Sequence, residues 1–333
     1  MSATSDISSQ SDAIRAILAL VRPGLDRVEA TLTDLSSTDD HVMGPMLSTV
    51  LPGGGKRLRP ALALVIGRLG GVDTETLNHM AVGVELLHTA SLVHDDIVDD
   101  SDTRRGSATL YARVGNALAV MVGDYLFAQA ARECVATGDL RVVRLFAETL
   151  GAMARGQIDE ANSQLNGQHA WQTLSRDDYF RTIWGKTASL FVLACQGTGL
   201  LVGLDAAQVD GLRRYGENLG LAFQVVDDIL DFTSTEQELG KPVGSDLRQG
   251  TITLPVILLR DGGEVDGHYR SAFESDDVEL QVRLVQQSGA IASAYAEAET
   301  LVARARQALE VLPRGTERDA LDALARFVTE RGR

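Results

Sequence analysis

Two short runs of aspartate stand out for their surroundings. Asp95, Asp96 and Asp99 lie in HDDIVDD, and Asp227, Asp228 and Asp231 lie in QVVDDILD. Each run has the form D-D-x-x-D, and each closes a strongly apolar stretch, where charge should be scarce. On a helix, residues i and i+4 stack on one face about 6 Å apart, and i+1 lies about 100° round. Asp95 therefore converges with Asp99, and Asp227 with Asp231. Like charges at that spacing cost a helix about 0.2–0.5 kcal/mol per pair, and a bound cation reverses the penalty. Carboxylate-only sites select hard ions, and Mg²⁺ favours one or two carboxylates, waters and a substrate phosphate. A solvated acidic helix end would explain one such run. Two matching runs, 132 positions apart, point instead to several metal ions held around one diphosphate. A helix-loop-helix calcium site is excluded because the D-x-D-x-D-G spacing is missing. A di-iron bundle is excluded because MARGQIDE offers Asp159 and Glu160 but no His at the required spacing.

An acidic protein that handles an anion needs cations at particular places. The net charge is −15, which disfavours nucleic-acid binding through a general basic face. Only three lysines occur, against 28 arginines, and each sits in a glycine-containing stretch: Lys56 in GGGKRLRP, Lys186 in WGKTAS and Lys241 in LGKPVGSD. Lysine is a compact, strongly hydrated point charge suited to phosphate oxygens. Gly53, Gly54 and Gly55 give flexible backbone ahead of Lys56, Arg57 and Arg59, and Pro60 suits the first turn of a helix. Backbone N–H groups and these cations are suited to grip one diphosphate. The stretch is not a P-loop, since Val50 stands at the first Gly position and Arg57 at the Ser/Thr position. Gly185-Lys186-Thr187 is not one either, because Phe180 occupies its first Gly position. Arg104 and Arg105 follow Asp99 by five and six residues, placed to clamp the same anion or a second, or to form a loop ion pair. His88 lies two turns before Asp95, and Gln224 three residues before Asp227. Their alternatives are a core histidine and a polar residue satisfied within the bundle.

These residues need rigid elements behind them. Apolar residues recurring every three to four positions predict helices over 11–34, 40–50, 60–70, 74–99, 107–136, 140–164, 176–201, 206–233, 251–261, 278–290, 291–312 and 316–331. Aromatics are only 5% and alternating stretches are few, which disfavours sheet, while 44% hydrophobic residues predict a folded chain. We therefore expect an all-α protein: a single large bundle of about ten or more helices around a deep central cavity. A polar tail over 1–12 precedes one domain over 13–333, and DGGEVDGH at 261–268 reads as a loop between helices. Two helices carry the acids. One begins at TETL, with Thr74 as its cap, although Leu77 occupies the acid position of a capping box. The other runs through DGLRRYGENLGLAFQVVDDILDF. Cys134 and Cys195 are too few for a disulfide framework and fit a reducing cytoplasm. The polar N-terminus does not read as a signal peptide, and no 18-residue apolar run predicts a membrane span.

The constellation resembles the trans-isoprenyl diphosphate synthases, or polyprenyl synthetases. The likeness runs from GGGKRLRP through HDDIVDD, SDTRRG, GKT and FQVVDDILD to GKPVGSDLRQGTITLP, with order and spacing in agreement. It implies that Asp95, Asp96, Asp99, Asp227 and Asp231 bind Mg²⁺, three ions in all with diphosphate bound, and that Asp228 belongs to that metal site in support. Arg104, Lys186 and Lys241 would contact the allylic diphosphate. Thr187 and Gln224 would stabilise the allylic cation and its leaving group. Lys56, Arg59, His88 and Arg105, with Arg57 in the same motif, would form the isopentenyl diphosphate site. The implied reaction ionises the allylic C–O bond, adds the double bond of isopentenyl diphosphate to the cation, and loses a proton to give a trans double bond. The resemblance also implies a homodimer.

Product length follows from what lies beneath the first cluster. One turn before Asp95 stand Ala90 and Ser91, both small, and the next turn back offers Leu86 and Leu87. Early-stopping members of the family tend to carry aromatic residues near Ala90 and Ser91, so this floor is open. Tyr125 and Phe127 on a facing helix are deeper candidates. An isoprene unit spans about one helical turn, so each opened turn adds about one unit. We expect six to ten units, as in quinone side chains, with a twenty-carbon product as the alternative. A terpene cyclase would carry an Asn/Ser/Glu-type second motif. A non-catalytic partner subunit would lose aspartates or lysines, and none is lost here. A plain helical scaffold would leave both clusters unexplained.

Overall fold

The helical periodicity is realised almost throughout. The structure, a computed structural model, describes residues 15–38, 40–51, 57–104, 106–165, 170–235, 242–262, 267–275 and 277–330. The 1–12 tail, Lys56, Arg105 and Lys241 lie outside the described residues. The principal helices are α1 (Arg22–Ser36), α2 (Met43–Val50), α3 (Leu58–Gly67), α4 (Thr74–Val98), α5 (Asn116–Ala136), α6 (Leu140–Leu165), α7 (Arg176–Ile183), α8 (Ala206–Thr233), α9 (Leu254–Asp261), α10 (Val278–Gln287), α11 (Ala290–Ala308) and α12 (Thr316–Glu330). None of the described helices is long and apolar enough to cross a membrane. The all-α expectation holds.

Four local features differ from the periodic reading. The cap of α4 is Asp73, not Thr74: its carboxylate accepts the Thr76 N–H at 2.8 Å, and its backbone is extended while Thr74 is already helical. The stretch predicted as one helix over 107–136 is broken. It begins with a two-residue antiparallel ribbon, Thr103–Arg104 against Ser107–Ala108, continues as a short helix over Leu110–Val114, and restarts at α5. Gly115, at φ +78°, makes the break, in a region that L side chains rarely adopt. The predicted helix over 176–201 is nearly continuous but contains two π-helical turns, Trp184–Ala188 and Leu193–Gly197. Short helices over Ala170–Thr173, Ser245–Arg248 and Gly267–Phe273 were beyond the pattern, being too short to show a period.

The chain forms two compact units, each assembled from separated segments. The first takes residues 1–150, 190–216 and 308–324. Its centre is α4, packed along α5 and against α1 and α3. Met80, Leu86 and Leu87 of α4, Leu62 and Ile66 of α3 and Leu126 of α5 are all fully buried. Each such side chain contributes about 1.5–3 kcal/mol relative to exposure. Tyr215, also fully buried, donates its hydroxyl to the Leu321 carbonyl at 2.8 Å, joining the first turns of α8 to α12 within this unit.

The second unit takes residues 151–189, 217–307 and 325–333. Here the C-terminal half of α6 meets the first π turn through two glycines. A Cβ on Gly156 would lie 2.5 Å from the Lys186 backbone nitrogen, and one on Gly185 would lie 2.7 Å from the Ala152 carbonyl oxygen. The two backbones approach closely enough that only glycine fits at either point. The far end of α8 is fixed by Gln286 of α10, whose amide donates to the Phe232 carbonyl at 2.6 Å.

Candidate active site

In the first unit, the end of α4 presents the first acidic cluster. The Asp99 N–H bonds the Asp95 carbonyl at 2.8 Å, and the Ser101 N–H bonds the Asp96 carbonyl at 2.9 Å. Between them Asp100 takes φ +49°, the left-handed residue of a Schellman-type stop. Aspartate tolerates this conformation better than most residues, and Tyr111 steadies it by donating its hydroxyl to the Asp100 carboxylate. Asp95 and Asp99 are half-buried, and Asp96 is buried. Arg104 Nε donates to Asp96 Oδ1 at 2.7 Å. Burial pushes the Asp96 carboxyl above the usual carboxylate range, and the Arg104 guanidinium offsets part of that rise. The preceding residue, His94, lies over Gly123 of α5, edge-on to Phe127 at 5.2 Å, with Nε2 3.1 Å from the Val120 carbonyl. A Cβ on Gly123 would meet that imidazole at 2.2 Å, so the glycine opens the seat.

The cationic stretch is anchored to the same helix. Arg57, at φ +43°, donates Nε to Glu29 of α1 at 2.6 Å, Nη1 to Glu85 of α4 at 2.5 Å, and Nη2 to the Leu51 carbonyl at 3.0 Å. A non-glycine residue in this backbone region costs about 1–3 kcal/mol and persists only when its surroundings hold it. Glu85 lies three residues before His88, so the ion pair brings the start of α3 to the α4 face that carries His88. Arg59 stacks its guanidinium over the Phe191 ring at 4.7 Å. The expected site residues Arg57, Arg59 and His88 are thus carried by one unit, with Arg57 turned toward carboxylates of the protein itself.

In the second unit, α8 carries the other cluster. Asp227 is half-buried, while Asp228 and Asp231 are buried. Asp228 accepts from both sides: Tyr179 Oη donates to Oδ2 at 2.6 Å, and Gln224 Nε2 donates to Oδ1 at 2.8 Å. Gln224 in turn accepts the Thr187 hydroxyl at 2.6 Å. Burial, then the nearby Asp246, raises the Asp228 carboxyl well above its ordinary range. Burial and Asp228 likewise raise the Tyr179 hydroxyl. Asp231 Oδ2 accepts the Asp246 N–H at 3.1 Å. Lys186 donates to Glu160 of α6. Both Lys186 and Thr187 lie in the first π turn, a rare element that is frequent at functional sites.

Sequence reasoning passed over Tyr179, Asp246, Glu29 and Glu85, and set Glu160 aside with the di-iron reading. Tyr179 is two turns before Lys186, but nothing in its neighbourhood marks it as a partner of Asp228, 49 positions on. Glu85 alone carried a signal, as an acid inside the apolar run that leads to Asp95.

The donor set suits a hard cation. Both runs supply carboxylate oxygens, and the half-buried Asp95, Asp99 and Asp227 keep those oxygens within reach. Among the described residues, no three His, Cys, Asp or Glu side chains converge into a ready-made cage. Asp96 is turned to Arg104, and Asp228 to Tyr179 and Gln224. Below the first cluster, Leu86, Leu87 and Ala90 are fully buried, whereas Ser91 and Phe127 are half-buried.

Comparison with known proteins agrees with this arrangement. The model of the Polyprenyl synthetase family matches residues 40–280. The chain is 35% identical to heptaprenyl diphosphate synthase component 2 of Geobacillus stearothermophilus over 321 residues, covering 96% of this chain and 99% of that one. It is 34% identical to octaprenyl diphosphate synthase of Escherichia coli, covering 92% and 95% of the two chains. The crystal structure of a decaprenyl diphosphate synthase from Rhodobacter capsulatus superposes with a TM-score of 0.87 at 33% identity, covering 96% of this chain and 99% of that one. Two acidic runs on buried helices, the anchored cationic stretch and this likeness over nearly the whole chain lead to one conclusion: the chain belongs to the polyprenyl synthetase family and is a prenyltransferase.

Proposed function

We propose that this enzyme condenses isopentenyl diphosphate with an allylic diphosphate by ionisation, condensation and elimination, and that it makes a long polyprenyl chain of about 30–50 carbons. The observation that carries the reading is the pair of D-D-x-x-D runs at the ends of buried helices, each with cations in its own unit. Mg²⁺ bound by Asp95, Asp96, Asp99, Asp227 and Asp231, with Asp228 in support through its hydrogen bonds, would neutralise charge on the leaving diphosphate. Arg104, Lys186 and Lys241 orient that diphosphate. Lys56, Arg59, His88 and Arg105 hold isopentenyl diphosphate, while Thr187 and Gln224 face the developing cation. These groups act by fixed electrostatics, so no side-chain nucleophile is needed.

Product length rests on Ala90 and Ser91, whose small side chains leave the growing chain room one turn below the metal cluster. The relatives named above, which are heptaprenyl, octaprenyl and decaprenyl diphosphate synthases, support the long product. A homodimer is part of the reading. Leu118, Val120 and Met121 of α5 are exposed, Met121 by 62%, and offer an apolar face to a second copy. Two buried, free cysteines suit a reducing compartment, and we place the enzyme in the cytoplasm.

The test incubates the purified protein with farnesyl diphosphate, labelled isopentenyl diphosphate and Mg²⁺, then sizes the dephosphorylated products. A ladder ending at thirty carbons or more is expected. A stop at twenty keeps the reaction and removes the long-chain claim. No Mg²⁺-dependent product with any allylic primer removes the catalytic reading and leaves a non-catalytic partner subunit.

A further inference from the structure

Thr187 departs from its neighbours in how it uses its proton. Ser189 and Thr198, on the same helical run, donate to the carbonyl four residues back, Gly185 at 2.6 Å and Ala194 at 2.7 Å. This is the ordinary outlet for a hydroxyl inside a helix. Thr187 instead donates to Gln224 Oε1 at 2.6 Å. The direction of that bond is set from a distance. Asp228 Oδ1 takes one amide proton of Gln224 at 2.8 Å, so the amide nitrogen faces the carboxylate and the amide oxygen faces Thr187. The carboxylate is held by the Tyr179 hydroxyl on its other oxygen at 2.6 Å. Tyr179 is itself fixed, at 3% exposure and edge-on to Phe180. A hydroxyl has one proton and two lone pairs. With its proton committed to Gln224, Thr187 has only lone pairs left to offer, the polarity that a cation needs.

We propose that Tyr179 and Asp228 are positioning residues that, through Gln224, fix the Thr187 hydroxyl as a pure acceptor toward the allylic cation. The inference rests on the cation chemistry proposed above. It gives Asp228 a task distinct from that of Asp227 and Asp231: setting the direction of a hydrogen-bond chain. It also gives Tyr179 a role that its position in the sequence does not reveal.

The test inverts and then restores the chain. In Asp228→Asn, the new amide oxygen keeps the Tyr179 proton, and its nitrogen meets the Gln224 nitrogen. With the asparagine so set, Gln224 turns over and donates to Thr187, and the hydroxyl proton swings outward. An unchanged kcat would mean that the asparagine nitrogen donates to the Tyr179 hydroxyl instead, so that Tyr179 does not set the direction, and would overturn the proposal. We expect kcat to fall by about 10²–10³, the scale of losing one aimed polar group. The KM for both substrates and the Mg²⁺ requirement should stay within about twofold. Adding Gln224→Glu lets the asparagine donate to the new carboxylate, which again accepts from Thr187. The double variant has the wild-type net charge and should recover kcat at least about tenfold over Asp228→Asn. Tyr179→Phe keeps the ring and loosens the carboxylate, so kcat should fall by about threefold to tenfold with KM unchanged.

Calorimetric binding of an unreactive allylic thiolodiphosphate with Mg²⁺ supplies a readout apart from turnover, and all variants should bind it as wild type does. The proposal is overturned if Asp228→Asn raises the Mg²⁺ requirement or weakens that binding, since Asp228 would then act as a metal ligand. It is equally overturned if the double variant is no faster than Asp228→Asn. An inactive wild-type enzyme would instead overturn the proposed function.

Discussion

Arg57 joins three segments of the first unit with one planar group, and its neighbours in sequence are the residues proposed to hold isopentenyl diphosphate. Its side chain is 10% exposed and that of Glu85 is 7% exposed, so removing the guanidinium strands a buried carboxylate. Arg57→Met should lower stability by about 3 kcal/mol, read as a shift in the urea midpoint. Arg57→Lys keeps a charge but cannot reach Glu29, Glu85 and the Leu51 carbonyl together. It should fold and show a KM for isopentenyl diphosphate raised about tenfold, with the allylic KM unchanged. If both constants rise together, the anchoring role fails. The position beneath the metal cluster is tested by Ser91→Phe, where half-burial tolerates the added ring better than the fully buried Ala90 would. Its product ladder should end at least one isoprene unit earlier, and an unchanged ladder would move the floor deeper.

At the scale of elements, the glycines at the crossing of α6 and the first π turn set how far Lys186 and Thr187 reach. Gly185→Ala would force its new methyl against the Ala152 carbonyl oxygen, a backbone atom that cannot swing aside. We expect about 1–3 kcal/mol of destabilisation and a drop in kcat larger than any change in KM, measured by thermal unfolding and steady-state kinetics. This is also the scale at which reading the sequence succeeds and then stops. α4 and α8 were legible because burial forces a long apolar period, and the acids that break it are conspicuous. The break at Gly115 was not, since a pattern of apolar spacing is blind to the sign of φ. The Asp73 cap was passed over for Thr74 because both residue types cap helices, and only backbone geometry decides between them. The π turns leave no periodic trace. The bonds from Tyr179, Glu160 and Glu29 to the site join residues dozens of positions apart, so residue types alone could name Asp228 and Lys186 but not what holds them.

At the scale of the whole molecule, burial makes the two cysteines reporters of the first unit's opening. Desolvation pushes the Cys134 thiol to about 12, with Glu133 adding to the shift, and burial raises Cys195 as well. At pH 8, alkylation of the native protein should be slower than that of a free thiol by about a thousandfold or more. Both lie in the first unit, so labelling should appear for the two together as that unit unfolds in urea, and early labelling of one would show local opening within it. The exposed face of α5 gives a second test. Met121→Glu should lower the mass seen by analytical ultracentrifugation to that of one chain if two copies meet there, and an unchanged mass would place the contact elsewhere. The first unit is built from residues 1–150, 190–216 and 308–324, and Tyr215 reaches Leu321 inside it. A ribosome delivers those pieces in order, so the N-terminal helices must wait, with part of their apolar surface uncovered, until residues 308–324 have been made. A chain stopped before 308 would lack the partner that Tyr215 holds, and should leave that apolar surface open to aggregation.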